Sequence, residues 1–569
     1  MKNTNSISRR AFVKGVVVSG TLLYGMNLNA GSNIKQREKT VELTGREFHL
    51  SIDKIAVNIT GNPSIATAVN SMLSGPTLRW REGDDITIYV TNNLNESSSI
   101  HWHGIILPYQ MDGVPDISFA GIAPGETFTY KFKVEQSGTY WYHSHSGFQE
   151  QTGIYGAIII DPIEKEPFIF HKDYVVELSD WSDEKPKNIY RHLKISSDYY
   201  NFKQRTLGDL VSEVQDQGII NTFEKRKMWN EMRMSERDLS DVTGYTYTYL
   251  INGQNPASNL NFSFKKGEKI RLRFINSSAM TYFDIRMPGL KMTVVAADGG
   301  YIEPVLIDEF RIGVAETYDV IVEPKEDGAY AIFAQDIDRS GYAFASLSSE
   351  NNLVAKVPLM DSLPILTMVD MGMGMHMMEN MENMENMENS PSIEKPIPIT
   401  PLKNKPSAMK AKNPQYRLDD PGVGLRENGR KVLTYADLKS LNATKYNRYP
   451  DREIVLHLTG NMQRYIWSIN GIKYADSMPL QFIYGERLRI TYINDTMMNH
   501  PMHLHGMWSD VETGENIVAR KHTVNVQPGS KISIRVNVDA LGKWAYHCHM
   551  LYHMLGMFRK VEVVQGKIS

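Results

Sequence analysis

One stretch of this sequence occurs three times. Gly83-Asp84-Asp85-Ile86-Thr87-Ile88-Tyr89-Val90-Thr91-Asn92 returns as Gly267-Glu268-Lys269-Ile270-Arg271-Leu272-Arg273-Phe274-Ile275-Asn276. It returns again as Gly485-Glu486-Arg487-Leu488-Arg489-Ile490-Thr491-Tyr492-Ile493-Asn494. Each copy is a turn followed by apolar residues at alternate positions, the pattern of a half-buried strand. A second strand follows in each: Phe128/Tyr130/Phe132/Val134, Tyr318/Val320/Val322 and Ile532/Ile534/Val536/Val538. A third begins at Gly138, Gly328 and Gly542, in every copy 13 residues after Gly125, Ala315 and Gly529. Shared order and shared spacing mean one supersecondary unit used three times. Short strands between Gly and Pro turns predict antiparallel sandwiches. The chain is therefore expected to be all-β, with three β-sandwich domains over residues 38–165, 170–358 and 450–569.

The rest of the chain reads differently. Residues 361–448 are rich in proline and poor in apolar runs, and are expected to link the second and third domains. Within them Met371-Gly372-Met373-Gly374-Met375-His376-Met377-Met378 leads into four Met-Glu-Asn triplets ending at Asn389. A period of three fits neither helix nor strand, so a flexible, low-complexity insert is expected. A short helix is expected at Tyr435–Leu441, and a helical excursion from the second domain within residues 198–242. At the N-terminus, Ser8-Arg9-Arg10-Ala11-Phe12-Val13-Lys14 and the short apolar run Val16–Leu28 have the form of a twin-arginine export signal. That run is too short and too interrupted to span a bilayer, and residues 1–31 are set apart as a leader addressed to the periplasm.

Composition narrows the chemistry. A net charge of −3, from 62 basic and 65 acidic residues, provides no basic field for nucleic acid. The single cysteine, Cys548, excludes an intrachain disulfide framework, a Cys-based zinc ribbon and an iron–sulfur cluster. Beside it stand 30 methionines and 16 histidines. Thioether and imidazole with almost no thiol point to copper rather than zinc.

Ten histidines cluster at matching places in the outer repeats. The first copy has His101-Trp102-His103 after its first strand and Tyr142-His143-Ser144-His145 at the end of its third. The third copy has His500-Pro501-Met502-His503-Leu504-His505 and Tyr546-His547-Cys548-His549, with His553 beyond. The middle copy has Tyr282-Phe283-Asp284 and Ile332-Phe333 instead. Metal is therefore expected between domains one and three, with the middle domain as spacer. On a strand, residues i and i+2 share a face, so each His-x-His pair presents two imidazoles together. Cys548 points the other way from His547 and His549, into a separate site that His500 and His553 can complete as a trigonal centre with a weak axial Met. Eight histidines remain, enough for three further metals. Such an arrangement passes electrons one at a time and collects them.

These motifs, in this order, resemble the multicopper oxidases, and in particular their bacterial copper-resistance branch. The resemblance implies three cupredoxin-like β-sandwich domains with a Met-rich flexible insert, and four coppers. It implies type 1 copper at His500, Cys548 and His553, type 2 at His101 and His503, and a type 3 pair at His103, His143, His145, His505, His547 and His549. The axial Met departs from the pattern: position 558 is Phe558, and Met557 fits with one residue deleted from the preceding loop, with Met554 as competitor. Asp112 resembles the acid near the trinuclear centre, where reduction of dioxygen to water consumes protons. Asp495, with Met497 and Met498, is expected to receive the reducing substrate. His49, His171, His192, His457 and His522 show no partner pattern and are expected to be structural or exposed. The implied activity is oxidation of Cu(I) to Cu(II) coupled to four-electron reduction of O2 to water. Phenol oxidation of the laccase kind and periplasmic copper sequestration are the alternatives. Extra Cu(I) is expected at the Met-rich tract. The expected partners are O2 and Cu(I) or another small reducing substrate, acting on a monomer with no nucleic acid and no membrane span.

Overall fold

In a computed structural model of the chain, residues 41–232, 234–373, 410–441, 448–513 and 518–566 are described. The leader and most of the Met-rich tract lie outside them. Six sheets stack as three sandwiches, one per repeat. In each, the repeated strand lies at the same place. Asp85–Asn92 runs parallel to Glu47–Val57 and antiparallel to Thr127–Lys133. Ile270–Asn276 lies between Lys172–Trp181 and Thr317–Val322 in the same two senses, and Arg487–Asn494 between Arg452–Asn461 and Ser530–Asn537. The sheets are thus mixed, a correction to the antiparallel expectation. Alternation of apolar residues sets which face a strand buries but not the sense of its neighbour. In the first sandwich the chain leaves the sheet after Ser64–Val69 to place Thr77–Arg81 in the other one, and returns parallel to where it began.

The second sheet of the first and third sandwiches carries the expected ligands. His101–His103 pairs antiparallel with Gly138–His143, with His101 opposite His143. His500–Leu504 pairs with Gly542–Cys548, with His503 opposite His547 and Met502 opposite Cys548. Cross-strand partners share a face, so His503 and His547 look one way while Met502 and Cys548 look into the core. The equivalent pair in the middle sandwich, Phe283–Arg286 with Ala329–Asp336, carries no histidine.

Two departures from the sandwiches matter. Between Lys172–Trp181 and Thr248–Ile251 the chain forms the helices Pro186–Ile195, Leu207–Gln217 and Ile219–Met232. The second starts at a capping box: the Thr206 hydroxyl accepts the Asp209 N–H, and the Asp209 carboxylate accepts the Thr206 N–H. The other departure is the stretch between the second and third sandwiches. Residues 361–373 and 410–441 pack on both, burying Leu366, Met371, Leu425 and Leu438. Gln415–Tyr416 adds a short strand beside Ser530–Lys531. A single 3-10 turn, Tyr435–Asp437, stands where a helix to Leu441 was expected. The described segments 361–373 and 410–441 of the linker meet each other, with the Asn413 N–H donating to the Gly372 carbonyl at 2.9 Å. Among the described residues no helix is long and apolar enough to cross a membrane.

Candidate metal centre

The eight expected imidazoles come together where the first sandwich meets the third. His103 stacks on His503 with ring centroids 3.8 Å apart, and His101 on His505 at 4.0 Å. All but His145 are fully buried. Burial, reinforced by neighbouring imidazoles, holds His103, His143, His145, His503, His505 and His549 well below the ordinary histidine range, and His547 at about 3. A neutral imidazole keeps a lone pair, which is what a metal takes.

Hydrogen bonds fix which nitrogen keeps it. The Nδ1 atoms of His101 and His503 donate to the carbonyls of Asp112 (2.7 Å) and His522 (2.6 Å). The Nδ1 of His505 donates to the Asp112 carboxylate at 2.9 Å, and that of His547 to the Cys548 carbonyl at 3.0 Å. Their Nε2 atoms are therefore lone-pair ends. Those of His101 and His503 have no hydrogen-bond partner among the described residues. Those of His505 and His547 face each other at 3.0 Å, and His145 Nε2 lies 3.2 Å from His547 Nε2. Lone pairs converging this closely in a dry site need a cation between them. His103 is turned around: its Nε2 lies 3.0 Å from the Thr523 hydroxyl and 3.2 Å from His522 Nδ1, leaving Nδ1 unpartnered. The donor set fits a closed cluster of metal ions.

Asp112 reaches His101 with its carbonyl and His505 with its carboxylate because its turn folds tightly onto the His101 strand. At Gly113, with φ +79°, a Cβ would lie 1.8 Å from the Ile100 carbonyl oxygen, so only glycine closes that turn.

The second site forms around Cys548. Its Sγ lies 3.5 Å from His500 Nδ1 and 3.9 Å from His553 Nδ1, and the two nitrogens are 3.3 Å apart. Both outer nitrogens are occupied: His500 Nε2 on the Thr496 hydroxyl at 2.8 Å, His553 Nε2 on the Asp241 carboxylate at 2.6 Å. Burial pushes the Cys548 thiol up, so only a bound cation makes it a thiolate here. Met557 is fully buried and its carbonyl accepts the Cys548 N–H at 3.1 Å, whereas Met554 is half-buried against the Val114, Ala545 and Phe558 cluster. If Met557 is the weak ligand, Met557→Leu should keep the blue colour and raise the reduction potential in a redox titration, because a thioether favouring Cu(II) is lost. Met554→Leu should leave the potential unchanged, and the reverse pattern would transfer the axial role to Met554.

Asp495 stands elsewhere than expected. Asp495 is buried, and its carboxylate accepts the Ala411 N–H at 3.0 Å and meets His457 Nδ1 at 2.8 Å. It anchors the chain just after the Met-rich tract instead of facing an incoming substrate, and it gives His457 a partner. His522 is the structural kind of the two expected: it lies buried against His103, and a Cβ on Gly104 would come within 2.4 Å of its ring. Asp241, Thr496 and Glu150 were not singled out from the sequence. Thr496 alone carried a local signal, four residues before His500.

A trigonal thiolate–imidazole site, chain-bonded on both sides of its cysteine to an eight-imidazole cluster, defines a protein built to move electrons from one copper to several. Family profiles described as multicopper oxidase match residues 51–165, 172–352 and 447–567, and the chain belongs to the multicopper oxidase family. It is 53% identical to Copper resistance protein A of Escherichia coli over 98% of this chain and 99% of that one. It is 52% identical to Copper resistance protein A of Pseudomonas syringae pv. tomato with the same coverage. Its fold is similar to that of Fet3p, a multicopper oxidase that functions in iron import, with TM-score 0.63 and 18% identity over 92% of this chain and 90% of that one. Members of the family bind four coppers of three types and couple substrate oxidation to reduction of O2, and the His clusters fit that complement.

Proposed function

We propose that the reducing substrate is Cu(I), oxidised to Cu(II) in the periplasm as part of copper tolerance. In this reading His500, Cys548, His553 and Met557 would hold the type 1 copper, and His101 and His503 the type 2 copper. His103, His143 and His549 would hold one type 3 ion, and His145, His505 and His547 the other. Copper held at these sites would supply one-electron redox chemistry, four electrons from the reducing substrate and four protons turning O2 into two waters. Cys548 joins the sites through its peptide bonds to His547 and His549. Asp112 holds His101 and His505 in register across two domains and lies beside the site where protons are consumed.

The observation that carries the substrate reading is the Asp241 carboxylate on His553. Both outer nitrogens of the type 1 pair end on oxygen groups of the protein, and the one on His553 belongs to a carboxylate, whose negative charge attracts an approaching cation. Asp241 keeps one buried oxygen without a hydrogen-bond partner among the described residues. Burial and the Asp241 charge push the nearby Asp238 carboxyl well up. Acids crowded in this way favour a cation. The names of the Escherichia and Pseudomonas relatives support the copper-tolerance role, the twin-arginine pattern supports export, and the thioethers of the Met-rich tract suit Cu(I) delivery.

Oxygen consumption by copper-loaded protein, with Cu(I) and separately with a phenol, tests this. Asp241→Asn should lower both rates, because His553 loses its outer carboxylate, and should lower the Cu(I) rate by the larger factor, because only a cation also draws on the carboxylate charge. Removing residues 376–389 should raise the KM for Cu(I) alone. A phenol preferred in the wild-type protein, with Cu(I) turnover indifferent to Asp241→Asn, would establish a laccase instead.

A further inference from the structure

His549 lacks what five other imidazoles of the cluster have. His101, His143, His503, His505 and His547 each rest Nδ1 on an oxygen of the protein. Neither ring nitrogen of His549 has a hydrogen-bond partner among the described residues. The oxygen facing its Nδ1 is Oε1 of Glu150, 3.9 Å away. That oxygen is likewise buried and without a hydrogen-bond partner. The other carboxylate oxygen, Oε2, lies 2.9 Å from His143 Nδ1, whose one N–H it shares with the Ser144 carbonyl at 3.1 Å. An imidazole nitrogen and a carboxylate oxygen, neither with a hydrogen-bond partner among the described residues, thus lie 3.9 Å apart in a dry site, and the second oxygen of that carboxylate already meets a neighbouring imidazole. A gap of this size is closed by a small side-chain rotation or by one water.

We propose that Glu150 is a positioning residue for the trinuclear centre, bridging His143 of the first domain and His549 of the third. One carboxylate oxygen accepts the Nδ1–H of each, so that both Nε2 atoms turn to the same metal ion. Asp112 links His101 and His505 across the same boundary, with its carbonyl on one and its carboxylate on the other. Glu150 makes the corresponding link with two carboxylate oxygens. Carboxylate support of this kind fixes the tautomer and ring orientation of a ligating histidine. Two N–H donors need two acceptors. A carboxylate offers both, whereas a glutamine offers one acceptor and sets an NH2 against the second donor.

The inference rests on the assignment of His143 and His549 to the type 3 pair, and the experiment keeps the two apart. Glu150→Gln, Glu150→Ala and His549→Ala are loaded with copper and dialysed against a chelator. Copper per chain, blue absorption and the electron paramagnetic resonance spectrum are then recorded. The blue site, built from other residues, reports that each variant has folded. Glu150→Gln should keep its blue colour while its trinuclear copper is released at chelator concentrations about 10–100-fold lower than in the wild type, and Glu150→Ala should lose it at least as readily. Wild-type copper retention in both Glu150 variants would overturn the proposal. So would a wild-type Glu150→Gln beside a Glu150→Ala that has lost its blue site too, since Glu150 would then only fill space. Four coppers retained in His549→Ala would instead overturn the ligand assignment.

Discussion

Cys548→Ser should erase the intense thiolate-to-copper absorption, bring O2 consumption with any reductant to background, and lower bound copper from four ions per chain to three. Serine fits the space, and its hydroxyl can still meet His500 Nδ1, which lies 3.5 Å from the sulfur, so the fold is retained. What serine cannot supply is a soft anionic donor. Burial already raises the Cys548 thiol, and a hydroxyl in that place stays protonated beside a copper ion that thiolate would have held. The eight-imidazole cluster draws nothing from the Cys548 side chain and should remain loaded. Electronic and paramagnetic resonance spectra with copper analysis check each part. Blue colour persisting in this variant would disprove the type 1 assignment.

Lys521→Met should destabilise the protein by about 3–5 kcal/mol, the cost of stripping one partner from a buried ion cluster. Lys521 is fully buried, with Nζ 3.1 Å from Asp298 and 3.1 Å from Glu316, and both acids are themselves buried. The lysine belongs to the third sandwich and the acids to the second. Its removal leaves carboxylates with no cation in a site water does not reach. Asp298 also accepts the N–H groups of His522 and Thr523, both at 3.1 Å, so the segment behind His103 should loosen as well. Denaturant unfolding of the two proteins measures the difference. Lys543→Met, on an exposed lysine 3.9 Å from Glu562, should cost no more than about 1 kcal/mol. Equal costs for the two would mean that the buried cluster does not hold the sandwiches together.

Much of this architecture is present in the order of the residues. A strand's side chains alternate, so His547-Cys548-His549 cannot send its sulfur and its imidazoles to the same place. The repeat puts His101-Trp102-His103 and His503-Leu504-His505 on equivalent strands of different sandwiches. These are consequences of local geometry, which a sequence carries in its spacing. The same alternation is silent about strand sense, and the parallel pairing of Glu47–Val57 with Asp85–Asn92 came only with the path of the chain between them.

The residues that orient the ligands were beyond the reach of spacing. Asp241 meets His553 across 312 positions of sequence, and Asp112 meets His505 across 393. Asp241 comes from the irregular segment after the helical excursion, and Glu150 from the turns after His145, where no period relates a residue to its neighbours in space. Asp495 shows the converse: beside His500 in sequence, it is turned by folding onto Ala411 and His457. The sequence by itself determined three sandwiches, two of them ligand-bearing, and a sulfur site apart from an imidazole cluster, because strand period acts over a few residues. Only the tertiary structure decided which acid meets which imidazole, because an ion pair or hydrogen bond depends on distance in space and leaves no period along the chain.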